Sequence, residues 1–308
     1  MEKRKIWVTG AGGQLGKELQ EACRADRPPF GMEGMAPSSR LELGDYAFTF
    51  LTREDLSLDE PGKIAAFFAG GSGNPACVIN CAAYTAVDKA EAEKEKAFLV
   101  NREAVGALAA ACRSAGTRLI HISTDYVFDG NSALPLKEGD ATGPVNVYGA
   151  SKLLGERLAM ENNPETVILR TSWVYSEFGN NFVKTMIRLM REKESVSVID
   201  DQIGSPTYAA DLASAILRIA CGGRFVPGIY HYSNEGEISW YDFARAIKDI
   251  TGSGCRVNPI PSSQYPTPAK RPAYSLLDKG PIKKTYGIGI PGWRESLEIC
   301  LRRIGGRA

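Results

Sequence analysis

The strongest constraint on the fold is a run of glycines placed directly after a short apolar strand near the start of the chain. Residues 5–9 have strand composition, and glycines follow in the spacing Gly-x-x-Gly-x-x-Gly before an amphipathic helix predicted at about 15–23. This spacing allows a tight turn, close approach of the backbone to a pyrophosphate, and close packing of the helix on the sheet. The first amide groups of the helix would face the phosphates. The predicted cofactor-binding residues of this loop are Gly10, Gly13, Gln14, Leu15 and Gly16.

The rest of the first half alternates between predicted strands and helices, which is typical of a doubly wound parallel sheet of the Rossmann-like α/β class. A buried parallel strand is continuously apolar, and residues 76–83 have this character apart from Asn80. The predicted strands are 46–51, 76–83, 117–123, 166–171 and 228–231, and the predicted helices include 95–115, 208–220 and 240–250. With 308 residues the chain exceeds the usual size of one compact core.

The end of the second predicted strand bears on the choice of cofactor. An acidic residue there would bind the ribose 2′-hydroxyl of NAD, whereas an arginine would suit the 2′-phosphate of NADP. The strand is followed by Thr52 and Arg53, so the sequence favours NADPH, with NADH as the alternative. The other interpretation of Arg53 is an ordinary solvated surface charge.

A predicted catalytic centre combines the end of the fourth strand with the start of the next helix. Tyr148 and Lys152 are four residues apart and would share one face of that helix. A cation beside a tyrosine stabilises the phenolate, so we expect Lys152 to lower the pKa of Tyr148 towards the range useful for proton transfer to a carbonyl oxygen. The hydroxyl of Thr124 would hold the same oxygen. The spacing alone also suits the start of an ordinary amphipathic helix.

Charge and composition exclude several other classes. The net charge of +1 gives no electrostatic reason to expect nucleic acid or a membrane surface as a partner. No apolar run approaches 18 residues, so a cytoplasmic protein is expected. The seven cysteines are dispersed, and Cys77 and Cys81 are better explained as buried thiols than as a zinc site. His121 and His231 lie in apolar strands and are expected to be core histidines.

Together, the glycine loop, Thr124 and Tyr148-x-x-x-Lys152 resemble the extended short-chain dehydrogenase/reductases. Longer stretches narrow the resemblance to the dTDP-4-dehydrorhamnose reductases, and it covers nearly the whole chain. The stretches that carry it are 80–91, 123–130, 170–175, 179–182, 201–207 and 265–272.

The resemblance implies reduction of the C4 ketone of dTDP-4-dehydro-L-rhamnose to dTDP-L-rhamnose, the last step of dTDP-rhamnose synthesis. It implies that Tyr148 supplies the proton, that Lys152 positions the cofactor ribose, and that Thr124 bonds the sugar oxygen. Further cofactor contacts by similarity are Asp55, Ala82, Ala83 and Tyr84, and further substrate contacts are Asp125, Trp173 and Arg271. A surface ion pair is the alternative for Arg271. Two other functions stay open: reduction of another nucleotide-linked 4-ketosugar, for example to 6-deoxy-L-talose, and a non-catalytic NADP-binding regulatory subunit.

The resemblance also implies a discontinuous domain organisation. Residues 1–172 and about 205–232 would form the NADP(H)-binding domain, and about 173–204 and 233–308 a smaller α/β substrate domain. The Pro- and Gly-rich insertion at 28–45 is longer than the usual link in the family.

The resemblance raises the question of a metal, because some members hold Mg²⁺ between two subunits through glutamates. Glu18 matches the first of those positions, but Ala210 and Arg294 stand at the other two. A cation at Arg294 would repel Mg²⁺, so we expect no metal and either a monomer or a weak homodimer.

Overall fold

The computed structural model describes residues 2–24, 43–70 and 73–306, and a six-stranded parallel sheet forms its centre. The strands of this sheet are β1 (Arg4–Thr9), β2 (Tyr46–Leu51), β3 (Cys77–Asn80), β4 (Arg118–Thr124), β5 (Thr166–Thr171) and β10 (Gly228–Tyr232). Their spatial order is β10-β5-β4-β3-β1-β2. The chain runs outward on one side of β1 and then restarts on the other side with β3. A crevice opens at such a reversal, where ligands of doubly wound sheets bind.

Helices cover both faces of the sheet, as predicted for a doubly wound fold. The helices of this part are α1 (Gln14–Cys23), α2 (Ile64–Ala69), α3 (Val87–Ala90), α4 (Lys94–Phe98), α5 (Ala104–Ser114), α6 (Val147–Asn162) and α8 (Ala209–Cys221). Successive residues of β1 face opposite layers: Ile6 and Val8 pack with α1 and α8, whereas Trp7 packs with α2 and α5. The sheet is therefore buried on both sides, which explains its continuous apolar strands.

A second apolar core lies outside the sheet and is formed by the C-terminal elements. Its helices and strands are β6 (Val174–Tyr175), α7 (Phe182–Glu192), β7 (Ser195–Ile199), β8 (Ile203–Gly204), β9 (Thr207–Tyr208), β11 (Ile238–Ser239), α9 (Trp240–Thr251), β12 (Arg256–Ile260) and α11 (Trp293–Gly305). Helices α7, α9 and α11 enclose this core, with the parallel pair β7 and β12 beside them. Helix α9 begins where it does because Ser239 and Asp242 form a capping box. In contrast, α10 (Gly280–Tyr286) packs against β10 of the large sheet.

Several predicted elements match the structure, and others differ for local reasons. The strands 46–51 and 166–171 have the predicted bounds. The strand predicted at 76–83 ends at Asn80, because the chain leaves the sheet there towards the crevice. The helix predicted at 95–115 is interrupted by a π-helical turn at Leu99–Glu103.

Most of the insertion predicted at 28–45 lies outside the described residues, apart from a 3₁₀ turn at Leu43–Asp45. In the part of the chain that the structure describes, no helix has both the length and the apolar composition needed to span a membrane.

Candidate active site

The glycine loop joins β1 to α1 and is shaped by close backbone contacts. Gly10 adopts a left-handed φ of 68°, and its carbonyl accepts a hydrogen bond of 3.0 Å from the amide of Gly13. A Cβ at Gly10 would lie 2.6 Å from the backbone nitrogen of Ala82, so only glycine fits there. A Cβ at Gly16 would overlap the Gly10 carbonyl oxygen. No side chain of the described residues caps α1 at Gly13, so the first amides of α1 are available to a phosphate. The loop fits a dinucleotide pyrophosphate.

The segment after β3 forms the other wall of the crevice, and the predicted cofactor residues Ala82, Ala83 and Tyr84 lie on it. Its backbone is held by Asn101, whose side chain accepts from the amide of Tyr84 at 2.9 Å and donates to the carbonyl of Tyr84 at 3.0 Å. Asn101 belongs to the π-helical turn that interrupts the long helix, and such turns are frequent at functional sites.

The residues predicted to meet the adenosine end follow β2. Arg53 is exposed and pairs with Asp59 at 2.7 Å. Asp55 accepts hydrogen bonds of 2.8 Å from the backbone amide and the hydroxyl of Thr52, and these bonds lower its pKa. In this structure both side chains are engaged by residues of the segment 52–59 that follows β2.

The predicted catalytic residues come together at the carboxyl edge of the sheet. Thr124 ends β4, and Tyr148 and Lys152 lie on the first turns of α6. Helix α6 begins at this point because Asn146 caps it, accepting a hydrogen bond of 2.7 Å from the amide of Gly149.

The pKa of Tyr148 differs from the prediction that Lys152 lowers it. Burial raises this pKa to about 12, a polar contact with Thr124 lowers it, and the neighbouring charge of Asp125 raises it again. The Lys152 amine is turned away into the protein, where it donates a hydrogen bond of 2.6 Å to the carbonyl of Ile122 and lies 3.3 Å from Nε2 of His121. Burial lowers the pKa of Lys152 to about 8. The cost of burying a phenolate therefore exceeds any stabilisation by the Lys152 charge, so the pKa of Tyr148 rises instead of falling.

Asp125 follows Thr124 directly and is fully buried. Its carboxylate accepts a hydrogen bond of 3.0 Å from the Thr124 hydroxyl. Burial raises the pKa of Asp125 to about 6, although hydrogen bonds from Ser275 and Thr124 oppose this rise.

Two further residues predicted to contact the substrate are held by neighbouring groups in this structure. Trp173 has a left-handed φ of 48°, and its ring stacks on that of Trp240 at a centroid distance of 3.7 Å. Arg271 donates to both carboxylate oxygens of Asp88, at 3.0 and 2.8 Å, and to the carbonyl of Ala269 at 3.0 Å. The ion pair considered as the alternative for Arg271 is therefore present, and its contact with a diphosphate stays a prediction.

Sequence reasoning missed two partners of this site. Asn80 and His121 are both fully buried and link β1 to Lys152. His121 is a hydrogen-bonded core histidine, as expected, but its contact with Lys152 was not foreseen. The other histidine, His231, is likewise buried, and its Nδ1 bonds the carbonyl of Leu136 at 3.1 Å.

The three residues at the positions considered for Mg²⁺ are buried or contact other side chains in this structure. Glu18 is buried and accepts a hydrogen bond of 2.7 Å from Ser176, and burial together with Glu177 raises its pKa to about 8. Ala210 is buried, and Arg294 faces Glu298 on its own helix. Within residues 2–24, 43–70 and 73–306, no group of three or more His, Cys, Asp or Glu side chains is placed to hold a metal ion.

The chain is similar to known proteins over nearly its whole length. The family model described as RmlD substrate binding domain matches residues 4–305. A dTDP-4-dehydrorhamnose reductase of Sinorhizobium fredii is 47% identical over 301 residues, which cover 95% of each chain. The chain belongs to the dTDP-4-dehydrorhamnose reductase family.

Two further members of the family support this assignment. The dTDP-4-dehydrorhamnose reductase of Salmonella typhimurium is 44% identical over 308 residues, which cover 97% of each chain. The crystal structure of the dTDP-4-dehydrorhamnose reductase of Bacillus anthracis, in complex with NADP, has a TM-score of 0.86 at 36% identity. That comparison covers 98% of this chain and 100% of the other. The resemblance to this reductase family is confirmed, and so is the Rossmann-like fold.

Proposed function

We propose that this chain reduces the C4 ketone of dTDP-4-dehydro-L-rhamnose to dTDP-L-rhamnose, the last step of dTDP-rhamnose synthesis. NADPH is the proposed hydride donor, with NADH as the alternative. The observation that carries the proposal is the Tyr148 phenol beside Thr124 at the crevice, in a chain of the reductase family. The NADP bound to the Bacillus anthracis relative supports the choice of cofactor.

The glycine loop and the segment after β3 provide the cofactor cradle. The first amides of α1 would hold the pyrophosphate, and the small side chains of Ala82 and Ala83 let a cofactor lie against the backbone. Lys152 would hold the ribose, and Arg53 the 2′-phosphate. When bound, NADPH supplies the hydride that reduces the ketone.

Tyr148 is the proposed proton donor. Because burial raises its pKa to about 12, the phenol keeps its proton at neutral pH and can give it to an oxygen that gains negative charge. The Thr124 hydroxyl, which donates to Asp125 in this structure, would turn its hydrogen bond towards that oxygen. Two neutral hydroxyl donors would thus stabilise the developing alkoxide.

The C-terminal elements are the proposed substrate domain, comprising about 173–204 and 233–308, with 1–172 and about 205–232 as the cofactor domain. The separate apolar core around α7, α9 and α11 supports this division. Trp173, Asp125 and Arg271 would contact the nucleotide sugar. Binding of the nucleotide half would hold the reacting carbon near the hydride, which is a proximity effect.

The proposed partners are limited to the nucleotide sugar and the cofactor. The balanced charge supports the absence of a nucleic-acid partner. We propose a monomer or a weak homodimer without bridging Mg²⁺, because a cation would stand at Arg294.

The test is NADPH oxidation in the presence of enzymatically generated dTDP-4-dehydro-L-rhamnose, followed by NMR of the product. The proposal predicts sugar-dependent oxidation and the L-rhamno configuration at C4. A 6-deoxy-L-talose product would have the opposite configuration at C4 and would contradict the proposed stereochemistry. No oxidation at all would favour a regulatory subunit and contradict the proposal.

A further inference from the structure

A line of buried polar side chains runs across three neighbouring strands to the catalytic lysine. Thr9, Asn80 and His121 occupy adjacent register positions on β1, β3 and β4. The Thr9 hydroxyl donates to Oδ1 of Asn80 at 2.6 Å, and Nδ2 of Asn80 lies 3.0 Å from Nδ1 of His121. At the far end, Nε2 of His121 lies 3.3 Å from Nζ of Lys152. All four side chains are at most 1% exposed.

The orientation of the Asn80 amide follows from its partners. The backbone amide of Ala82 bonds the Asn80 side chain at 3.2 Å, and a backbone N–H can only donate. The Asn80 atom that faces Ala82 and Thr9 is therefore the oxygen. The nitrogen, a donor, must face Nδ1 of His121. A neutral imidazole carries one proton, so Nδ1 is the acceptor and Nε2 carries the proton.

This tautomer determines how His121 interacts with Lys152. A lysine ammonium has three N–H donors and no lone pair, so it would meet the Nε2–H group donor to donor. A neutral amine offers a lone pair to that group while it donates to the carbonyl of Ile122 at 2.6 Å. The geometry thus suits the neutral amine better than the ammonium.

The surroundings of the Lys152 amine have opposing effects on its positive charge. Cys81, after β3, and Glu156, on the same helix, favour its charge, and burial opposes it more strongly. Glu156 is itself engaged by Arg170 of β5 at 2.7 Å and by the Ser123 hydroxyl. The pKa of His121 is held well below its usual range by burial and by Lys152, so the ring is neutral. Tyr148, one turn earlier on the same helix, keeps its proton.

We propose that His121 is a positioning residue for Lys152: Asn80 places the ring proton on Nε2, and this proton holds the amine against the Ile122 carbonyl and favours its neutral form. The proposal rests on the proposed function for the role of Lys152 at the cofactor ribose. Because a charged donor bonds a hydroxyl more strongly than a neutral one, deprotonation of Lys152 weakens cofactor binding. The Asn80–His121 pair therefore sets the pH above which NADPH binding weakens.

The tautomer can be read directly, because the chain has two histidines. NMR of protein labelled with ¹⁵N-histidine assigns His121 by comparison with His231→Phe, in which one set of signals is lost. We expect His121 to carry its proton on Nε2 from pH 6 to 8. A proton on Nδ1, or a charged ring, would overturn the proposal. This readout needs neither cofactor nor sugar, so it can fail while the proposed function stands.

A second test uses Asn80→Asp, which puts an acceptor in place of the Asn80 nitrogen. The ring proton would then move to Nδ1, and Nε2 would accept from the Lys152 ammonium. We expect the pH at which NADPH affinity falls by half to rise by about one pH unit, the equivalent of one hydrogen bond. NADPH fluorescence titrations from pH 6 to 10 measure this midpoint.

The same substitution in a His121→Phe background separates the tautomer from the added charge. We expect Asn80→Asp to have much less effect on the midpoint there, because no ring proton can move. His231→Phe is the control for loss of a buried histidine and should leave the midpoint unchanged. An equal rise in both backgrounds, or none in either, would contradict the role of His121.

Discussion

The glycine loop and the Tyr148 centre lie at the same edge of the sheet, but the loop depends on backbone contacts and the centre on side-chain contacts. The loop is formed by backbone, and at Gly10 there is no room for a Cβ. The Tyr148 centre is formed by buried polar side chains such as Asp125 and Lys152, whose pKa values are shifted by burial. The loop should therefore be sensitive to added volume, and the centre to lost hydrogen bonds and protons.

The largest effect should come from Tyr148→Phe, which keeps the volume and removes the proton. We expect kcat to fall by about 10²–10⁴-fold, the usual contribution of a general acid, with little change in the dissociation constant for NADPH. Steady-state kinetics and fluorescence titration measure the two quantities. Tyr230→Phe is a matched control, because its hydroxyl donates to the carbonyl of Val226 far from the crevice. Turnover of Tyr148→Phe within about ten-fold of the unchanged protein would contradict the role of the phenol.

The second effect tests volume at the loop. Gly10→Ala should lower the free energy of unfolding by about 2–4 kcal/mol, because the new Cβ meets the Ala82 backbone and a left-handed φ is strained for alanine. NADPH binding should weaken with it. Urea unfolding measures the change in stability.

The same loop offers a control at Gly12, where an added Cβ would meet no atom of the described residues within 4 Å. Gly12→Ala should leave stability and NADPH affinity close to those of the unchanged protein. If both substitutions had the same effect, volume would not distinguish the two positions.

The smallest effect should come from the exposed charge of Arg53, at the proposed adenosine end of the cofactor site. Arg53→Ala should weaken NADPH by about ten-fold and NADH hardly at all, because a charge-assisted bond to the 2′-phosphate is lost. Stability should change by less than about 1 kcal/mol, since the pair with Asp59 is exposed. Asp59→Asn frees Arg53 and should not weaken NADPH. Equal losses for both cofactors would remove the argument for NADP selectivity.

The contrast between the two regions also explains what could be read from the sequence. Residues of strand composition predicted the bounds of β2 and β5, and the glycine spacing predicted the loop, because both signals lie in neighbouring residues of the chain. The π-helical turn at Leu99–Glu103 was not predicted. Its residue Asn101 bonds Tyr84, 17 positions away, and such a tertiary contact leaves no pattern in the local sequence.

The catalytic centre was predictable in its residues but not in its electrostatics. The i, i+4 spacing brought Tyr148 and Lys152 to one helix face, yet burial reversed the expected direction of the Tyr148 pKa. The register that places Asn80 beside His121 comes from strand pairing. No pattern within either strand contains that information.

The most direct test of the account follows the hydride itself. The protein is incubated with dTDP-4-dehydro-L-rhamnose and NADPH deuterated at nicotinamide C4 on the transferred face, and the product is analysed by NMR. We expect deuterium at C4 of dTDP-L-rhamnose and its loss from the cofactor. Product with hydrogen at C4, or cofactor that keeps its deuterium, would contradict a hydride transfer to the C4 ketone.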